Sequence, residues 1–205
     1  MHVCLFQEVA FDVNLIQNST LEDGGGLAGW APFGTRTTKL SVHTAAEDDA
    51  IMLPIATEHG TGNNKPSGRY ILVSGRADEK DGLRQAIAAG ALKPRVTYRV
   101  AGWVSSTAGA AVRVNLGVDV EESLVECGAV CAQAGAWTEV RGAFRLRTEP
   151  RGAAAVYVQG APPGVDFKVM DLRVFATDRK ARFSLLKDKT DKVSMHVDHV
   201  LLLRI

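Results

Sequence analysis

Three cysteines, seven prolines and an aromatic content of 6% leave this chain short of the residues that cross-link, stiffen or fill small folds. Cys4, Cys127 and Cys131 are odd in number, so they do not make a disulfide framework. In CGAVC (127–131) four residues of extended chain separate the two cysteine Cα atoms by roughly 13 Å, beyond the roughly 7 Å that a bridge allows. No nearby His or further Cys completes a metal site, and both are expected to be buried thiols. Neither sign of charge is in excess, since Lys plus Arg number 24 and Asp plus Glu 23. Without a basic field to hold a phosphate backbone, nucleic acid is not an expected partner. Long apolar runs are missing too: none reaches the roughly 20 residues that cross a bilayer, and no membrane partner is expected. The opening MHVCLFQEVAFDV is apolar, but Gln7 and Glu8 break it, and it shows no basic n-region or small-residue cleavage site. As written, no signal peptide is visible.

What the chain has is alternation. In AVRVNLGVDV, Val112, Val114, Leu116, Val118 and Val120 alternate with Arg113, Asn115, Gly117 and Asp119, the period of two of a half-buried antiparallel strand. RVTYRVAGW (95–103), WTEVRGAFRL (137–146) and AAAVYVQG (153–160) read the same way, with turn-rich STAGA and EPRG between strands. DVNLIQ, TTKLSVHT and RYILVSG are earlier candidates. Nine or ten closely spaced strands and no long helix predict an all-β sandwich or barrel with one core, within the size of a single domain. In VDFKVMDLRVFA the apolar positions are 165, 167 and 169, then 170, 172 and 174. That phase slip predicts a β-bulge near Val169 and Met170.

After Thr177 the pattern changes. ATDRKARFSLLKDKTDKV alternates charges with spaced apolar residues, the tail is net positive, and residues 178–192 read as an exposed helix followed by a strand-like HVLLLRI. Thr177 to Arg182 is the expected boundary between a module over 12–177 and a tail over 178–205.

The stretch NLIQNSTLEDGGGLAGW (14–30), with SGRYILVSGRADEKDGL, KPRVTYRVAGWV and VDFKVMDLRVFATDRKARF, resembles a carbohydrate-binding module, most closely family twenty-two, as it precedes the barrel of plant endo-1,4-β-xylanases. RKARFSLLKDKTDKV resembles the first segment of the family-ten glycoside hydrolase barrel. The resemblance implies a β-sandwich of jelly-roll topology, a monomer in the extracellular space or cell wall, and xylan or a related β-1,4-linked polysaccharide as partner. The alternative is a structural or interaction domain that keeps the sandwich and has lost sugar binding. A (β/α)₈ barrel takes about 250 residues, and a retaining glycosidase needs two carboxyl groups about 5 to 5.5 Å apart. Residues 178–205 hold no such barrel, so no hydrolysis is expected of this chain.

Polysaccharide recognition needs flat ring faces and a few polar groups that meet hydroxyls. Alternation in AAVYVQG turns Val156 and Val158 inward and leaves Tyr157 and Gln159 on the opposite face. The family places a tyrosine and an acid there; Tyr157 matches, and Gln159 replaces the acid with an amide that still bonds hydroxyls. Where relatives carry a tryptophan platform, Lys80 stands in ADEKDG, and a second aromatic position falls on Gly117. Phe33 lies near a ligand-contact position of the family. Arg76 and Asp78 read as solvated loop charges, Trp30 and Trp103 as core, and Trp137 as either core or platform. A structural Ca²⁺ is also implied, with Thr20 and Glu22 from STLED and Asp171 from VMDLR as oxygen ligands. HGTGNN is a turn rather than a phosphate loop, Asn18-Ser19-Thr20 is a sequon that matters only on export, and His196 and His199 are an incidental pair.

Overall fold

In the computed structural model the described residues are 9, 11, 13–22, 26–45, 51–53 and 68–177. The tail and its expected helix, the histidine pair and HGTGNN lie outside them. Eleven strands are present among the described residues: β1 (Trp30–Phe33), β2 (Lys39–Thr44), β3 (Ile51–Leu53), β4 (Arg69–Ser74), β5 (Gly82–Ile87), β6 (Thr97–Ser106), β7 (Val112–Val120), β8 (Ser123–Ala132), β9 (Ala136–Arg145), β10 (Ala154–Gln159) and β11 (Phe167–Thr177). They form a five-stranded sheet in the order β1-β5-β10-β7-β8 and a six-stranded sheet in the order β2-β4-β11-β6-β9-β3. Every named pairing is antiparallel except β3 with β9. From β4 onward the chain crosses between the sheets, with only the β7–β8 hairpin staying in one. The result is the jelly-roll sandwich expected.

Alternation explains the core. Val114, Leu116 and Val118 of β7 and Val156 and Val158 of β10 are fully buried, facing Val100, Val104 and Val174 of the other sheet. Trp30 joins this core. Trp103 and Trp137 are also buried but pack with Tyr70 and Met170 in a separate cluster, which decides Trp137 in favour of packing.

The bulge falls one residue beyond its expected place. β11 pairs Met170 with Trp103 and then Arg173 with Ala101, so Asp171 and Leu172 together oppose Gly102. Asp171 takes the left-handed φ of 52°, which is uncommon for a residue with a side chain. Gly102 makes room: a Cβ there would come within 2.9 Å of Leu172 Cδ1.

Three sequence expectations change. DVNLIQ forms no strand among its described residues; Asn14 Oδ1 instead accepts from Ile16 N–H and Val174 N–H, and Leu15 N–H donates to Val174 O at 2.7 Å. Its short polar side chain competes with ladder pairing. Cys131 is exposed rather than buried, because its partner Arg113 faces outward, and only Cys127 is half-buried.

Arg76 is the third. It is 4% exposed, and its guanidinium donates to six carbonyl oxygens, those of Asp78, Glu79, Asp81, Ala161, Pro162 and Val165. The ring of Phe167 lies 5.0 Å below it. A buried charge costs several kcal/mol unless its hydrogen-bonding groups are met, and here they are. Asp81, also buried, accepts from Thr35 N–H and hydroxyl, Ala77 N–H and Asp78 N–H. Together they tie the β1–β2, β4–β5 and β10–β11 loops at one end of the sandwich. Asp78 is exposed, as expected.

Burial pushes the Asp81 carboxyl upward, but the bonds from Thr35, Ala77 and Asp78 outweigh it and hold it well below the usual carboxylate range. A depressed folded-state pKa contributes stability above the unfolded value of about 3.9, lost as pH falls through the folded value. Asp81→Ala should destabilise by about 1–3 kcal/mol, the cost of leaving buried donors without an acceptor, and should flatten the acid limb of the stability curve. Urea titrations from pH 7 down to about pH 2, covering most of a loss that begins at about pH 5 and runs downward, check both; an unchanged acid limb would remove Asp81 from this role.

Candidate functional site

The outer face of the five-stranded sheet is set by the residues that alternate with the core. A row of paired residues crosses all five strands: Ala31, Arg84, Tyr157, Gly117 and Glu126. In the next row Phe33 pairs with Gly82 and Gln159 with Asn115. On the other side of Tyr157, Asp119 pairs with Ala155. This brings Phe33, Tyr157 and Gln159 onto one face.

Tyr157 is not the open platform that its position predicts. Its ring is 2% exposed, lying 5.7 Å from the Phe33 ring at an interplanar angle of 31°. A Cβ at Gly117 would run into Tyr157 Cζ and Oη and into Val125 O. The phenol therefore lies across β7 in the space that a side chain at 117 would fill. Burial pushes its pKa up to about 12, with further upward contributions from Cys127, Glu126 and Asp119, so the hydroxyl keeps its proton as a donor. Cys127 is the extra residue of a second bulge, where Leu116 pairs with Gly128 and Gly117 with Glu126. Burial lifts its thiol to about 12 as well, which removes it as a nucleophile near neutral pH.

Around this floor the groups are polar. Phe33 is half-buried and carries the Arg84 guanidinium 5.7 Å from its ring centroid. Arg113 donates to Asn115 Oδ1 at 2.8 Å and to Glu126 Oε1 at 2.6 Å. Gln159 Oε1 and Asp119 Oδ1 are buried without a hydrogen-bond partner among the described residues. Lys80 is exposed in the β4–β5 loop, where its N–H donates to Asp78 Oδ1. That loop borders the face, since Gly160 N–H donates to Glu79 O at 2.9 Å.

Sequence reasoning missed Arg84, because Gln85 hides the alternation of β5. Gln85 occupies an inward position at 1% exposed and is satisfied by reciprocal bonds with the Gln17 backbone. Asn115 and Asp119 stood on the polar side of a predicted strand, but only the pairing with β10 shows what they flank.

The proposed calcium ligands lie apart from this face. Thr20 is half-buried and Glu22 exposed, with the buried Leu21 between them giving its carbonyl to Arg69 Nη1 at 2.8 Å. Asp171 sits at the β11 bulge. No group of three or more His, Cys, Asp or Glu that could hold a metal occurs among the described residues. Ca²⁺ takes six to eight oxygens, and a guanidinium already binds the loop between Thr20 and Glu22. To reach that number, a Ca²⁺ held by Thr20, Glu22 and Asp171 would also draw on backbone carbonyl oxygens.

Residues 13–164 match the family model described as carbohydrate binding domain. The chain belongs to that family. Endo-1,4-beta-xylanase 2 of Arabidopsis thaliana is 36% identical over 190 residues, covering 90% of this chain and 17% of the relative. Endo-1,4-beta-xylanase 3 of the same plant is 33% identical over 196 residues, covering 92% and 25%. The chain thus spans a quarter or less of these curated relatives. Among solved structures, the CBM22-1–GH10 modules of Clostridium thermocellum xylanase 10B, complexed with xylohexaose, align with TM-score 0.55 at 20% identity, over 75% of this chain and 27% of that one. The CBM22-2 xylan-binding domain of Paenibacillus barcinonensis Xyn10C gives 0.57 at 17%, over 78% and 98%. These likenesses establish the fold alone, a β-sandwich shared with those modules.

Gly117→Ala tests the placement of Tyr157. It should destabilise by about 1–3 kcal/mol, the usual cost of overpacking. A thermal melt at wild-type temperature would mean that the phenol does not occupy the space above residue 117.

Proposed function

We propose that this chain is a non-catalytic module that binds xylan, or a related β-1,4-linked plant cell-wall polysaccharide, along the outer face of the five-stranded sheet. The observation that carries this reading is the convergence there of Phe33, Tyr157 and Gln159 from β1 and β10. Phe33 offers its ring to a sugar, with Tyr157 packed beside it as a rigid floor. Gln159 and Asp119, each with an unmet acceptor, take hydroxyl protons on either side of Tyr157. Lys80 borders the end of the groove nearest Gln159. The module acts as a monomer, outside the cell, where such polymers are found.

Hydrolysis is assigned to another part of a xylanase-like protein. Family membership, the plant xylanase relatives and their much greater length support that division. A second reading, a sandwich kept for protein contacts after sugar binding was lost, draws on the burial of Tyr157, which leaves no fully open aromatic platform.

Native gels containing soluble xylan separate the two. Retardation of the 205-residue chain supports binding, and Phe33→Ala should weaken it about tenfold, within the range of about 1–3 kcal/mol for comparable aromatic stacking. Unchanged mobility of the wild-type chain would favour the interaction domain. Incubation with xylan should release no reducing sugar, and release would overturn the non-catalytic assignment. If Thr20, Glu22 and Asp171 hold a structural Ca²⁺, EDTA should weaken retardation; unchanged retardation would count against that site.

A further inference from the structure

Arg84 stands near the middle of the proposed groove without an acidic partner. It is exposed, and neither an ion pair nor a hydrogen bond involves its side chain among the described residues. The other arginine of this face, Arg113, is matched by Glu126. Arg84 is held instead by its contact with the Phe33 ring. Its neighbours on the same face are small or aromatic: Ala31 across β1, Tyr157 across β10, and Gly82 and Ala86 two residues away along β5. The acids of the face, Asp119 and Glu126, stand on β7 and β8, two and three strands away. At about 4.8 Å per strand they lie roughly 10–15 Å off, at or beyond the screening length of about 10 Å in 0.1 M salt. Among the described residues nothing neutralises this cation.

We propose that Arg84 selects xylan bearing uronic-acid branches, by pairing its guanidinium with the branch carboxylate while the backbone runs over Phe33 and Gln159. The assignment rests on the polysaccharide reading above and names the substituent that the same groove prefers. A planar guanidinium matches a carboxylate in a two-bonded fork, and Arg84 is exposed on this face beside the Phe33 ring. Ala86, exposed, and Ala31, half-buried, are small enough to leave room for a branch. Asp119, which no ion pair among the described residues matches, disfavours a carboxylate at the opposite side of Tyr157, so the branch has one favourable orientation.

The test is calorimetric titration of the whole chain with two xylo-oligosaccharides of equal backbone length, one unbranched and one carrying a single glucuronic acid. At low salt the branched ligand should bind about fivefold tighter, equivalent to about 1 kcal/mol, and the advantage should shrink at about 0.5 M NaCl because the pair is exposed. Arg84→Gln should bring the ratio of the two affinities to about one. Arg84→Lys should keep part of it, since the charge remains and the fork does not. Equal binding of both ligands by the wild-type chain, or a preference that survives Arg84→Gln, would overturn the role of Arg84 and leave xylan binding standing. Binding of neither would overturn both.

Discussion

The groove depends on a buried cation that never touches it. Arg76 gathers six backbone carbonyls from two loops, and Asp81 adds the β1–β2 loop through Thr35. These loops carry the ends of β1, β5 and β10, which are the strands that bring Phe33, Arg84, Tyr157 and Gln159 together. Hydrogen bonds to charged groups contribute more than neutral ones, and the cation and carboxylate draw their partners from three separate loops. The register of the groove is thereby fixed at its end, while its middle stays free to carry ligand-facing side chains.

The middle shows how one absent side chain reorganises a surface. Gly117 offers no ring, and the Tyr157 phenol from the next strand lies in the space it leaves. A residue placed to present a flat face thus becomes part of the floor. Phe33, on the other side of Tyr157, gains a rigid neighbour at 5.7 Å and is left as the partly open ring of the face. The change is a redistribution of aromatic area across strands, which position-by-position comparison registers only as a loss.

How much was legible from the sequence follows from which forces act locally. Strands β7, β9, β10 and β11 were readable because alternation in one segment is enough to bury one side, and even the bulge showed as a slip in that alternation. β5 was not, since a glutamine occupies an inward position there and only the distant Gln17 backbone satisfies it. Arg76 was misread for the same reason: a lone arginine beside Gly75 and Asp78 looks solvated until three carbonyls of its own loop and three of the remote β10–β11 loop surround it. Cys131 reversed because strand register, not residue type, decides which way it faces. Gln159 and Tyr157 were placed on the correct face by alternation alone, yet the burial of Tyr157 needed knowledge of what lies opposite it in β7.

Family membership fixes the sandwich and leaves its ligand to be decided by about half a dozen side chains. The departures at those positions all push in one direction. The family resemblance implies a tryptophan where Lys80 stands, a second ring at Gly117 and an acid at Gln159. A surface with less exposed aromatic area gains less from stacking on an unsubstituted sugar chain, while each unmet polar group on it gains more from a ligand that supplies the missing partner. Among the described residues Gln159 and Asp119 lack donors, and Arg84 lacks an anion. On the proposed reading, hydroxyls and branches add to what the single partly open ring of Phe33 supplies, so discrimination among substituted polymers is the property that this arrangement of residues would favour over tight binding of the bare backbone.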